Sequence, residues 1–231
     1  MRAQTKRVIP VAFVFLVSIF GLAISAALLG KPASGSEDPT NRRVIIALVY
    51  DLVCAAGILA ALFPVLCSGV VGSRRLFAEH REDIQRRTTE ILGIRFLHGH
   101  HPVEPESAAH ELLIGGKSYC ATCYGLLSGA VFSLTVVTAF SLSSWSGWAE
   151  SGLVLFVYCV GVAAVILGFI QTLTLRLGPR ARFAAAMAFV VGTSLMLLAT
   201  DLLTADLAAD FFVVLLAVFS LLSRISLSHR S

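Results

Sequence analysis

The sequence predicts an all-α, polytopic membrane protein, a bundle of about six transmembrane helices with one cytoplasmic His/Cys loop. Three observations predict it. Of 231 residues 57% are hydrophobic and only 14% charged, with mean hydropathy +0.84, whereas a soluble domain carries about 25% charged residues. Six continuous apolar runs lie near the ~20 residues that cross a bilayer. Lysine and arginine fall almost entirely on one side of those runs. A transmembrane β-barrel is excluded, because its strands show short alternating patterns instead of unbroken apolar stretches.

The first run, Val8–Gly30, follows Arg2, Lys6 and Arg7 and ends near the small residues Ser25, Ala26 and Ala27. A cleaved signal peptide would look similar, but its apolar core is usually about 7–15 residues, so a retained anchor is the expectation. Cleavage would leave the other spans unchanged. The segment "KPASGSEDPTNRR" after it is rich in Pro, Ser and Gly and reads as an irregular outer loop. The second run is Val44–Ser68. Four more follow the long segment 69–123, at Tyr124–Trp145, Ser151–Leu175, Phe183–Leu203 and Asp210 to about Leu227. Their short connections, "SSWSGWAE", "RLGPRAR" and "TADLAAD", predict antiparallel neighbours in a compact up-and-down bundle.

Orientation follows from counting basic residues. With the N-terminus inside, the inner segments carry 15 of the 18 Lys and Arg, and the outer ones only Lys31, Arg42 and Arg43. Both termini and segment 69–123 are therefore expected in the cytoplasm of a multi-pass cell-membrane protein. The net charge of +4 needs no nucleic-acid partner, since anionic headgroups of the lipid bilayer satisfy it.

Segment 69–123 divides in two. The stretch "SRRLFAEHREDIQRRTTEILGIRFL" reads as an amphipathic helix, with Phe77, Ile84 and Ile91 seven residues apart and Glu82–Arg86 and Asp83–Arg87 at i,i+4. The second half, "LHGHHPVEPESAAHELLIGGKSYCATCYG", gathers four of six histidines (His98, His100, His101, His110) and two of five cysteines (Cys120, Cys123) within 26 residues. Pro102 and Pro105 oppose regular structure, "AAHELL" resembles a short helix, and Gly115–Gly116 marks a turn before Cys120 and Cys123, at the threshold of a membrane helix.

Two cysteines at Cys-x-x-Cys spacing can share one tetrahedral metal, and two imidazoles complete a Cys2His2 zinc site. Between His101 and Cys120 lie 18 residues, within the spacing zinc modules use between ligand pairs. The expected ligands are Cys120 and Cys123 with two of His98, His100 and His101, and His110 as a substitute. Thiol redox chemistry at Cys120 and Cys123, coupled to quinone, is an alternative, because a helix N-terminus favours the thiolate. Against it stand the cytoplasmic side, where disulfides are not maintained, and the absence of a second matched pair, with Cys54, Cys67 and Cys159 isolated in apolar runs. A metal-dependent hydrolase is a third reading and requires a carboxylate base such as Glu104, Glu106 or Glu111. The residue after Cys123 is Tyr124, which removes c-type haem attachment, and no dinucleotide or Walker fingerprint is present.

The run "HHPVEPES…GGKSYCATCYGLLSGA" resembles an uncharacterised family of small prokaryotic polytopic membrane proteins. Their signature is Cys-His, then Pro and Ser, and after a gap Cys-x-Arg-Cys-Thr-Gly leading into a membrane helix. Cys120, Cys123, Gly125 and Gly129 match its second half, and His100–His101 stand at the Cys-His positions with one residue inserted before Ser107. Thr122 replaces the family's Arg and Tyr124 its Thr. The likeness covers about 30 of the 231 residues and implies a site without implying a task.

Carboxylates inside apolar runs cost on the order of 3 kcal/mol and are functional candidates by default. Asp51 lies eight residues beyond Arg43, about 12 Å into its span, and Asp201 lies toward the outer end of the fifth. The two are expected to share an ion or proton pocket with Tyr50, Tyr158 or Thr200. Gly125-x-x-x-Gly129 allows close helix approach, read as packing within the bundle, with a homo-oligomer interface as its other use. The expected work is transport or membrane-complex assembly, with the loop organised by a zinc-like ion.

Overall fold

The computed structural model describes residues 20–27, 39–62, 88–91, 94–97, 111–114, 117–143, 151–173 and 177–228. Helix α1 covers 20–27 and α2 covers Pro39–Leu62. Four strands follow, β1 (Thr88–Ile91), β2 (Ile94–Leu97), β3 (Glu111–Ile114) and β4 (Lys117–Cys120). Then come α3 (Ala121–Leu142), α4 (Ser151–Leu173), α5 (Pro179–Thr204) and α6 (Leu207–Ser228). Helices α3 and α5, with Gly152–Gln171 of α4, are long and apolar enough to cross a membrane, and α6 contributes a shorter apolar stretch, Leu207–Leu222. Leu52, Phe156 and Leu215 are exposed on the outside of the bundle, as expected of a surface that meets lipid.

Helix α2 starts at Pro39, five residues before the apolar run, so Arg42 and Arg43 belong to the helix and not to the loop. Proline is suited to a first helical position, since its missing N–H would have no partner there. Helix α5 likewise starts at Pro179, after Gly178. It ends with Ala205 in the left-handed region (φ 49°), its N–H donating to Asp201 O at 3.2 Å. Asp206 then caps α6, its Oδ1 accepting from Ala208 N at 2.9 Å. Two residues thus reverse the chain between α5 and α6.

Helix α5 is the axis of the bundle, packed against α3, α4 and α6, while α2 packs mainly on α3 and reaches α5 through side-chain hydrogen bonds. Small side chains set its close approaches. A Cβ at Gly129 of α3 would lie 2.9 Å from Met187 O, and one at Gly125 would collide with Phe183 O. Gly161 of α4 and Gly192 of α5 face each other, each hypothetical Cβ within 2.8 Å and 2.7 Å of the other's carbonyl oxygen. Gly125 and Gly129 therefore serve packing within the chain.

The same contacts fix direction. Along α3 the residues Gly125, Gly129 and Ser133 meet Phe183, Met187 and Ser194, numbers rising together, so α3 and α5 are parallel. Along α4, Gly161 meets Met196 and Gly168 meets Phe189, which is antiparallel. On α2, Arg42 meets Asp201 while Tyr50 meets Thr193, again antiparallel. From α2 to α6 the chain alternates, as the short connections after α3 require. The core between these helices includes Tyr50, Val137, Val165, Phe189, Met196 and Leu197.

Segment 69–123 departs from expectation where it is described. Thr88–Leu97, read from the sequence as the tail of an amphipathic helix, is an antiparallel hairpin with Thr88 opposite Leu97 and Ile91 opposite Ile94. The β-branched residues Thr88, Thr89, Ile91 and Ile94 favour the extended state, and this outweighs the heptad spacing of Ile91. Glu111–Leu113 of "AAHELL", read as a short helix, belong to strand β3 (Glu111–Ile114), paired with β4 so that Glu111 faces Cys120 and Ile114 faces Lys117. That register leaves Gly115–Gly116 as a two-residue connection, the length and composition tight hairpins prefer. Residues 73–87 of the expected helix lie outside the described residues.

Candidate functional site

At one end of the bundle, strand β4 runs directly into α3, and Cys120 is the residue where one becomes the other. Its backbone is extended (φ −68°, ψ 114°) at the N-cap of the helix. Cys120 is buried and Cys123 half-buried, both as thiols. The rings of Tyr119 and Tyr124, on either side of the motif in sequence, pack edge to face with centroids 4.7 Å apart. Arg182, near the start of α5, is buried, donates Nε–H to Leu177 O at 2.8 Å and acts electrostatically on Cys120. The N-terminus of α3 and this guanidinium both place positive potential on the Cys120 sulfur.

Cys120 thus ends β4 and Cys123 lies in the first turn of α3. His98, His100, His101 and His110, with Glu104 and Glu106, lie outside the described residues. Among the described residues no group of three or more His, Cys, Asp or Glu side chains is placed to hold a metal ion.

The opposite end carries a second, charged cluster. Arg42 donates to Asp201 Oδ1 through Nε at 3.1 Å and Nη2 at 2.7 Å, and to the Asp201 carbonyl at 3.3 Å. Arg43 donates Nε–H to Asp201 Oδ2 at 2.9 Å and lies 5.1 Å above the Phe140 ring. Arg42 and Asp201 are each 4% exposed in their side chains, against 20% for Arg43. Asp210, the fourth member, is fully buried 3.9 Å from Arg42 Nε. The cluster joins α2 to both sides of the α5–α6 reversal.

Asp51 and Asp201 do not share a pocket. Asp51 Oδ2 accepts from Thr138 Oγ1 of α3 at 2.8 Å, while its Oδ1 is buried with no partner among the described residues. Asp201 belongs to the arginines, about 12 Å further along α2 by helical rise. The polar groups expected beside them are distributed elsewhere. The Tyr50 hydroxyl meets Thr193 Oγ1 at 2.9 Å, Tyr158 donates to Ser25 Oγ at 2.8 Å, and Thr200 donates to Met196 O at 2.8 Å. Hydroxyls inside an apolar bundle pair with whatever acceptor is nearest along their own helix or across one interface.

Sequence reasoning missed Arg42, Arg43 and Asp210 as members of a site. The available signal was charge complementarity: an adjacent arginine pair begins α2 while Asp201, Asp206 and Asp210 flank the α5–α6 reversal, on the same side in the alternating topology. No family model, no curated protein and no solved structure matches this chain.

Proposed function

We propose that this is a six-span integral membrane protein with both termini in the cytoplasm, whose cytoplasmic loop holds a zinc-like ion and whose work is transport or the assembly of a membrane complex. The observation that carries the reading is the position of Cys120-x-x-Cys123, seated where a tight hairpin enters α3. A metal bound there would tie the 98–123 loop to the inner end of the bundle, with Cys120 and Cys123 as two ligands and two of His98, His100 and His101 as the others. Zinc in such a closed site supplies folding energy outright. The distribution of charge supports the orientation. Lys117, Arg180 and Arg182 belong to the hairpin end, whereas Arg42 and Arg43 at the other are paired with Asp201. The resemblance of this loop to the Cys-His…Cys-x-Arg-Cys-Thr-Gly family supports a site at the same residues.

One observation favours a second reading. Positive potential from α3 and Arg182 on Cys120 suits a reactive thiolate as well as a metal ligand, which would make the pair a membrane thiol oxidoreductase acting on quinone.

Metal content separates them. Plasma mass spectrometry of the detergent-purified protein should find about one zinc per chain, lost together with thermal stability in Cys120→Ser/Cys123→Ser. Metal-free protein with an intact fold would sink the zinc reading and direct attention to the thiol redox state.

A further inference from the structure

Asp210 is 0% exposed, yet neither of its carboxylate oxygens has a hydrogen-bond donor among the described residues. Arg42, its nearest cation, stands 3.9 Å away and already gives its Nε and Nη2 to Asp201. The charged groups acting on Asp210 from the surrounding elements are Arg42 and Arg43 of α2, Asp201 of α5 and Asp206 of the α5–α6 link. Helix α3 contributes the uncharged Phe140 ring beneath Arg43. Two guanidiniums thus face three carboxyl groups. Asp201 takes the hydrogen bonds of both arginines, and Asp206 is half-buried and caps α6. The odd carboxyl is the buried one without a donor. An ionised carboxylate withdrawn from water and left unpaired is neutralised in preference to being tolerated.

We propose that Asp210 is a proton-binding site, holding a proton between α2 and the α5–α6 reversal and becoming a second carboxylate partner of Arg42 when it releases that proton. Only the carboxyl O–H bond breaks in this step. The proton passes to water at the end of the bundle, where Arg43 is one-fifth exposed. The two arginines then divide between two carboxylates, Arg43 remaining on Asp201 and Arg42 shared with Asp210. The site lies at the opposite end from Cys120 and does not depend on the metal reading.

The test is Asp210→Asn in the full-length protein, in detergent, with two measurements. The amide keeps the shape and neutrality of the protonated acid, so the variant should fold. In the infrared, wild type should show the carbonyl stretch of a protonated carboxylic acid at neutral pH, and the variant should lack it. The second measurement is the pH profile of the thermal midpoint. An unfolded Asp ionises near pH ~3.9. A folded Asp210 that keeps its proton binds more protons than the unfolded chain above that pH, so its contribution to stability falls as pH rises. The variant cannot titrate, and its midpoint should gain on that of wild type from about pH 4 upward. Parallel pH profiles with no infrared difference would overturn the proposal. Failure of the variant to fold would also overturn it, because a neutral isostere would then not substitute for the native group.

Discussion

Removing Asp201 should be among the most damaging single changes available at the charged end of the bundle, and a double-mutant cycle with Arg42 measures why. In Asp201→Ala, Arg42 loses its two side-chain hydrogen bonds, at 3.1 and 2.7 Å, keeps the 3.3 Å bond to the backbone carbonyl, and is left 4% exposed with Asp210, 3.9 Å away, as its remaining carboxylate among the described residues. Breaking a buried pair by removing one partner costs about 3–5 kcal/mol. Arg42→Met is milder, because Asp201 keeps the 2.9 Å bond from Arg43. Losing the charge-assisted bonds from Arg42 costs about 1.5–3 kcal/mol. In the double variant neither charge is stranded, so the loss should stay near that of Asp201→Ala alone, giving a coupling energy of about 1.5–3 kcal/mol. The assay is equilibrium unfolding in mixed detergent micelles, followed by far-ultraviolet circular dichroism. Additivity of the two single changes to within about 0.5 kcal/mol would refute the reasoning, since the pair would then contribute nothing as a pair.

Other changes test other joints of the bundle by the same unfolding assay. Gly192→Ala places a methyl group against the Gly161 carbonyl and should destabilise by about 1–3 kcal/mol, whereas Gly57→Ala, which meets nothing within 4 Å, should be neutral or stabilising. Thr138→Val removes the one hydrogen bond to the Asp51 carboxylate among the described residues, for a loss of about 1–3 kcal/mol; no loss would mean that Asp51 is solvated. Ala205→Gly should stabilise by up to about 1 kcal/mol, because a left-handed residue with φ 49° carries a Cβ penalty that glycine lacks.

The helices were legible because an apolar run of bilayer length has few alternatives to a helix. The boundary of α2 was not, because Arg42 and Arg43 read as loop charges until their partners are known, and those partners lie some 160 positions away in sequence. The antiparallel pairing on either side of Gly115–Gly116 agrees with the reversal those two glycines suggest, although the glycines themselves lie outside the described residues. The strands flanking them were not legible, since Glu111–Ile114 carries the helix-forming residues Glu and Leu and only pairing with Lys117–Cys120 makes it extended. Thr88–Leu97 misled differently: i,i+4 charge pairs just upstream supported a helix that its own β-branched residues do not continue. Asp51 and Asp201 were visible as charges in apolar runs. Asp210 was not, because it sits at the edge of its run and its meaning comes from the donors it lacks.

The alternating topology places Arg42 and Asp201 at the opposite end of the bundle from Cys120 and Cys123; the proposed orientation puts the first pair outside and the second inside, and that is the claim to test first. In a background free of the natural cysteines, single variants Ser36→Cys and Ser231→Cys, and one retaining Cys123, would be treated in intact cells with a membrane-impermeant maleimide. Labelling at position 36 alone, with positions 123 and 231 reacting only after the membrane is opened, is the expected result. Labelling at 123 and 231 from outside, with 36 protected, would contradict the orientation and place the thiols where redox chemistry is at home.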